Sequence, residues 1–185
     1  IASSANPVAG GSTSGSGTYD SGASVTLSAT PAAGFRFSNW TEGGTVVSTN
    51  TGYTFTATSN RTLVANFIQT FTISTSSNPV AGGSATGSGI FDSGTSVTLS
   101  ASPSSGFRFV NWTESGTVVS SNPSYTFTVT ANRILTGNFR QVFTIATESN
   151  PESGGSTSGG GTFDSGTSVT VSATAASGFR FVNWT

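Results

Sequence analysis

Residues 106–112 read Gly-Phe-Arg-Phe-Val-Asn-Trp, and the same pattern stands at 34–40, with Ser38 in place of valine, and again at 178–184. In an extended strand Phe107 and Phe109 point to one face and Arg108 to the other. Strict alternation would send Trp112 away from the phenylalanines, so a bulge or bend is expected at Asn111, a residue type that tolerates irregular backbone. With that bulge Trp112 joins Phe107 and Phe109 in a core. The same reading puts Trp40 with Phe35 and Phe37, and Trp184 with Phe179 and Phe181. Each tryptophan would bury on the order of 150–250 Å² and be the largest apolar contribution of its copy. Arg36, Arg108 and Arg180 fall on the opposite, solvent face of the strand, where a repeated row of guanidiniums could take a ligand.

Working outward, the period is fixed at 72 residues: Trp40, Trp112 and Trp184 share it with the Asn-Pro pairs that begin at Asn6, Asn78 and Asn150. A drift-free internal period outranks any local structural reading. It divides the chain into a first copy at 1–69, a second at 70–141 and a third at 142–185 that lacks the counterpart of 114–144. The missing part holds GTVVSS, YTFTVT and ILTGNF in the second copy, and these read as its last strands. Between Phe67 and Phe71 only Ile68, Gln69 and Thr70 intervene, which leaves little slack between copies.

The second copy alternates strands with turn signals and shows no helical periodicity. In 96–101, Val97, Leu99 and Ala101 share one face and Ser96, Thr98 and Ser100 the other. Tyr125, Phe127 and Val129 alternate with Thr126, Thr128 and Thr130; Leu135, Gly137 and Phe139 share a face of the closing strand, and Phe71 and Ile73 begin the first. Gly-, Pro-, Asn- and Asp-rich stretches between these runs supply tight turns. The fold class is all-β or β-rich, in units small enough that contact with neighbours matters for their stability.

Composition narrows the chemistry. Six arginines face seven acids, with no lysine, histidine or cysteine. Scattered arginines cannot displace counterions along a nucleic acid, so no nucleic-acid partner is expected. Disulfides and thiolate metal sites are ruled out. Serine and threonine are plentiful, yet no histidine or lysine is present to activate them, which excludes triad chemistry. The chain is expected not to be an enzyme and to need no cofactor. No apolar run is long enough to span a membrane as a helix. Serine and threonine supply roughly a third of the residues and few are charged, a balance that points to an extracellular, secreted or cell-surface setting. A chain that opens at Ile1 without methionine is expected to be a processed or excerpted piece.

Asp20, Asp92 and Asp164 occupy Asp-Ser-Gly turns and read as turn formers; a calcium site is the alternative, although each copy offers one such aspartate and a glutamate, Glu42 or Glu114, about twenty residues on, where calcium wants six to eight oxygens. Paired-carboxylate hydrolysis fails because the third copy lacks the glutamate position. The Gly-rich stretch GGSTSGSG lacks the helix start and lysine of a phosphate loop and reads as a hairpin or glycine bulge. Asn39, Asn111, Asn183 and Asn60 head Asn-X-Thr triplets that match the N-glycosylation pattern, the first three beside expected core tryptophans.

The combination NPVAGGSATGSG, FDSGTSVTLSASPSSGFRFVNWTE and YTFTVTANRILTGNF, present in both full copies, resembles the divergent internalin-type B repeat of bacterial surface proteins. The resemblance covers the whole chain. It implies compact β-grasp-like domains arranged as beads along a rod, in cell-wall-anchored or secreted proteins, where they act as stalk or adhesion spacer with neighbouring repeats or copies of itself as partners. It implies no catalytic residues, and the absence of lysine rules out lysine–asparagine isopeptide staples. Two other roles are compatible with the residues: a segment of a self-assembling extracellular fibre, and a module for cell-wall or host glycans, if Tyr19, Phe91 and Phe163 or the tryptophans line an open groove.

Overall fold

The computed structural model describes all of Ile1–Thr185. The first copy contributes β1 (Ala2–Asn6), β2 (Gly11–Ser14), β3 (Ser24–Pro31), β4 (Phe35–Glu42), β5 (Thr45–Ser48) and β6 (Gly52–Thr56). Strand β7 (Thr62–Asn78) leaves it and becomes the first strand of the second copy, which continues with β8 (Gly83–Thr86), β9 (Gly89–Asp92), β10 (Ser96–Pro103), β11 (Phe107–Glu114), β12 (Thr117–Ser120) and β13 (Ser124–Thr128). Strand β14 (Arg133–Ile145) repeats the role of β7, and β15 (Gly155–Ser158), β16 (Gly161–Asp164) and β17 (Ser172–Ala175) belong to the third. The fold is β-rich, as the patterning indicates. Its only helical elements are 3-10 turns at Val8–Gly10, Val80–Gly82 and Glu152–Gly154, each entered through a cis Asn-Pro bond. No α-helix of the kind that covers a β-grasp sheet is among the elements.

The expected boundaries at 69/70 and 141/142 fall inside β7 and β14, because the short connections are themselves hydrogen-bonded strand. By contact density the chain resolves into two compact units: one of Ile1–Ile73 with Ser88–Val97 and Thr126–Arg133, the other of Ser74–Gly87 with Thr98–Tyr125 and Ile134–Thr185.

In the first unit one layer is β5-β4-β7, with β1 added parallel to β7, and the other is β2-β3-β6. Alternation in β3 sends Val25, Leu27 and Ala29 inward against Leu63, Ala65 and Phe67 of β7, while Ser24, Thr26, Ser28 and Thr30 stay exposed. Trp40 lies fully buried in this cluster. The expected bulge is present: Phe37 pairs with Phe67 but Asn39 pairs with Asn66, so Ser38 is the extra residue. It shifts parity by one and turns Trp40 onto the side of Phe37, with ring centroids 6.0 Å apart. The indole N–H donates to the Thr51 carbonyl at 3.2 Å, satisfying the one polar atom of the ring. In the second unit β11 repeats this, with Val110 as the extra residue and Phe109–Trp112 centroids 5.9 Å apart.

The Gly-rich stretch at 10–17, expected to be a hairpin or glycine bulge, is instead the end of the 3-10 turn at Gly10, strand β2 at Gly11–Ser14 and a short loop through Gly17. Gly10 sits so close to the aromatic layer that a Cβ there would lie 2.7 Å from the Cβ of Phe67. Gly82 stands in the same relation to Phe139, at 2.6 Å.

Candidate functional site: the junction between copies

Each junction is built on one peptide bond. The N–H of Thr70 donates to the Gly34 carbonyl at 2.8 Å, while the Gln69 carbonyl accepts from the Ser93 N–H at 2.8 Å. The C=O and N–H of a trans peptide point in opposite directions, so β7 is held from one edge by the start of β4 and from the other by the end of β9. Pairing of Thr70 with Asp92 through Ile73 with Gly89 extends the second grip. The second junction repeats the pattern: Val142 N–H to Gly106 carbonyl, Ser165 N–H to Gln141 carbonyl, both at 2.8 Å, and β14 paired with β16 from Val142–Asp164 to Ile145–Gly161.

An ion pair straps each junction. Arg36 lies opposite Ile68 and Asp92 opposite Thr70, and these β7 residues are two apart, hence on one face. The Arg36 guanidinium crosses β7 to meet both oxygens of Asp92, Nε reaching Oδ1 at 2.6 Å and the terminal nitrogen Oδ2. Arg108 grips Asp164 identically, at 2.5 Å to each oxygen. Arg140 stands 3.7 Å from the same carboxylate. Two parallel N–H···O bonds fix orientation as well as distance, which suits a strap between copies.

These pairs relocate two sets of sequence-predicted residues. Of the three arginines expected on the solvent face, Arg36 and Arg108 are half-exposed, 50% and 49%, with both guanidiniums occupied by the next copy's aspartate, and Arg180 is exposed. Asp92 and Asp164 do close their turns, through carbonyls that accept from Thr95 and Thr167, and their side chains in addition serve the strap. Hydrogen bonding to arginine holds both carboxyls below the usual aspartate range, with the nearby positive charge adding to it. A carboxyl with a depressed folded-state pKa stabilises above its unfolded value, near 3.9, and loses that contribution as pH falls through the folded value. The wild-type chain is therefore expected to lose resistance to urea below about pH 4, and Asp92→Asn with Asp164→Asn to flatten that part of the pH profile while already being weaker at pH 7.

The remaining predicted residues lie elsewhere. Phe35 and Phe37 pack, partly buried, against the first core, and Phe107 and Phe109 are partly buried beside the fully buried Trp112. Phe179, Phe181 and Trp184 do not form a core within these residues: they are 49%, 49% and 45% exposed, since no strand of the chain pairs with 179–184 as β7 pairs with β4. Glu42 is taken by Arg61, whose guanidinium donates to it at 2.6 Å and stacks 4.3 Å from the Phe55 ring centroid; the pairing lowers the Glu42 pKa. Asn39 serves in an amide ladder across three strands, its Oδ1 accepting from Asn66 Nδ2 at 2.8 Å while Asn66 Oδ1 accepts from Asn6. Asn66→Ala should cost about 1–2 kcal/mol in chemical denaturation, through the partners left unsatisfied. Phe91 and Phe163 are partly buried across from Phe71 and Phe143, while Tyr19 is 39% exposed and its hydroxyl donates to the Gly15 carbonyl.

Sequence reasoning found the arginines and the aspartates separately and missed that they pair 56 residues apart, across copies. The signal was the shortness of the connection, which forces the first turn of one copy against the aromatic strand of the one before.

No helix of the structure is long and apolar enough to cross a membrane. No curated protein and no solved structure matches the chain. The family description that does match is the divergent InlB B-repeat domain, three times in tandem at residues 2–70, 73–143 and 145–185. With that match covering nearly its full length, the chain belongs to the divergent InlB B-repeat family as a tandem array of its domains.

Proposed function

We propose that this chain is a non-enzymatic spacer in a bacterial extracellular or cell-surface protein, holding a more distal part of that protein, an adhesive one, at a set distance. The observation that carries the reading is the strapped junction: one continuous strand per boundary, gripped on both edges and clasped by a bidentate Arg–Asp pair. A linker between independently moving domains would be polar, flexible and unpaired, whereas here every connecting residue belongs to a sheet. An exposed ion pair adds little to overall stability, so its repetition at both boundaries fits a geometric role. Family membership supports the surface setting, and the missing histidine, lysine and cysteine support the absence of catalysis.

The lack of native cysteine makes the test direct. Spin labels at Thr49→Cys and Ser96→Cys, exposed positions of neighbouring copies, should report one narrow distance distribution that broadens when Arg36→Ala removes the strap. A broad distribution in the unmodified junction would rule out the spacer reading.

A further inference from the structure

The strands by which the chain enters and leaves a copy lie side by side. In the second copy it enters along the later part of β7 and leaves along β14, and these two are neighbours in one sheet. The bonds between them keep a constant offset of 60 residues: the Thr72 N–H donates to Asn132 Oδ1 at 2.8 Å, the Ser76 and Thr136 hydroxyls meet at 3.1 Å, and Asn78 Nδ2 donates to Asn138 Oδ1 at 3.2 Å. A constant difference means that the strands run parallel, since antiparallel partners keep a constant sum. The first copy has the same arrangement, β1 running parallel to β7 from Ala2–Thr62 to Asn6–Asn66.

Direction decides what a pull does. Where entering and leaving strands are parallel neighbours, the chain comes in at one end of their shared ladder and goes out at the other. Tension along the chain then acts along the strands and loads all the bonds between them together. Antiparallel neighbours would put entry and exit at the same end, and the same tension would open their bonds one after another. Shearing demands the loss of several bonds in a single step, and forced unfolding follows the height of that barrier rather than equilibrium stability. The leaving strand is also anchored from its other side. Strand β14 pairs with β11 from Phe107–Gln141 to Glu114–Leu135, and Asn138 Nδ2 donates to Asn111 Oδ1 at 2.8 Å and to Thr113 Oγ1 at 3.0 Å. Leu135 and Phe139 on its inner face are buried, so a slip of one residue would carry both out of the core.

We propose that the array is a tension-bearing element, in which the parallel pairing of entering and leaving strands makes a copy a shear clamp. Load arises where the array joins two bodies, so this function rests on the spacer reading, and it adds that the copies stay folded while those bodies are drawn apart. No cysteine or lysine is present to staple the strands covalently, which leaves load direction as the source of mechanical resistance.

Single-molecule pulling on the 185-residue chain, with handles on introduced cysteines, compares two load directions. Gln69→Cys with Gln141→Cys, both at exposed positions, sets the handles at opposite ends of the β7–β14 pair; Gln69→Cys with Ala131→Cys, also exposed, sets them at the same end. At equal loading rate the first variant should rupture at a severalfold higher force than the second. Equal forces, or a lower force for the first, would overturn the proposal. Such a failure leaves the spin-label distances at the junction unchanged, whereas a failed spacer reading shows in those distances whatever the rupture forces are.

Discussion

Trp40→Ala should destabilise the first unit by about 3–5 kcal/mol, a large share of what a domain of this size possesses. The indole is fully buried, in contact with a cluster that includes Val25, Leu27, Leu63 and Phe67. Its removal deletes the largest block of apolar surface, leaves a cavity between two sheets that cannot collapse without breaking their pairing, and takes one of two donors from the Thr51 carbonyl, which keeps the Ala29 N–H. Urea denaturation followed by hydrogen exchange would check this, because Trp112 remains as a reporter of the second unit. Trp184→Ala is the internal contrast. At 45% exposure that indole has little burial to lose, and its replacement should shift the midpoint far less.

The second large effect is expected at Gly10. Its backbone lies directly on Phe67, and a methyl group there would meet the phenylalanine Cβ at 2.7 Å. The contact is with the stem of the side chain, so no rotamer change relieves it; either the turn or β7 must move. Gly10→Ala should therefore cost on the order of 2–3 kcal/mol, the upper part of the range for overpacking, and Gly82→Ala the same through Phe139. Gly154 occupies the equivalent place in the third copy, where the nearest atoms to a Cβ are 3.4–3.5 Å away. Gly154→Ala should be close to neutral. Thermal unfolding of the three variants would separate the specific clash at 10 and 82 from a general penalty for altering the turn, since the latter would fall on all three alike.

The unit of the fold was legible from residues whose periodicity is strong. The inward run of Val25, Leu27 and Ala29, the parity conflict in the Phe-Arg-Phe-x-Asn-Trp strand and its resolution by a bulge all follow from the two-residue repeat of a strand. Placement of the extra residue at Ser38 and Val110, one before the asparagine, was not visible, because the asparagine is conformationally tolerant and is also needed for the amide ladder. The 3-10 turns after Asn-Pro and the strands β8 and β9 were hidden in a Gly-Ser-rich run with too little apolar alternation to register. The junction was only half legible. Copy-to-copy pairing depends on contacts between residues 56 apart, and a 72-residue period directs attention to equivalent positions, which never touch. What the sequence did show was the shortness of Ile68-Gln69-Thr70, and that shortness is why the connection became strand.

Native-state hydrogen exchange at the copy boundary distinguishes a shared strand from a slack linker. If β7 is one strand gripped from both edges, the amides of Thr70 and Ser93 should exchange with a protection comparable to that of Val64 and Ala65 within the first core, and Asp92→Asn should lower protection at the boundary before it lowers that of the core. Thr70 and Ser93 exchanging at the rate of an open loop, while Val64 and Ala65 stay protected, would show that the copies are separate domains on a slack tether.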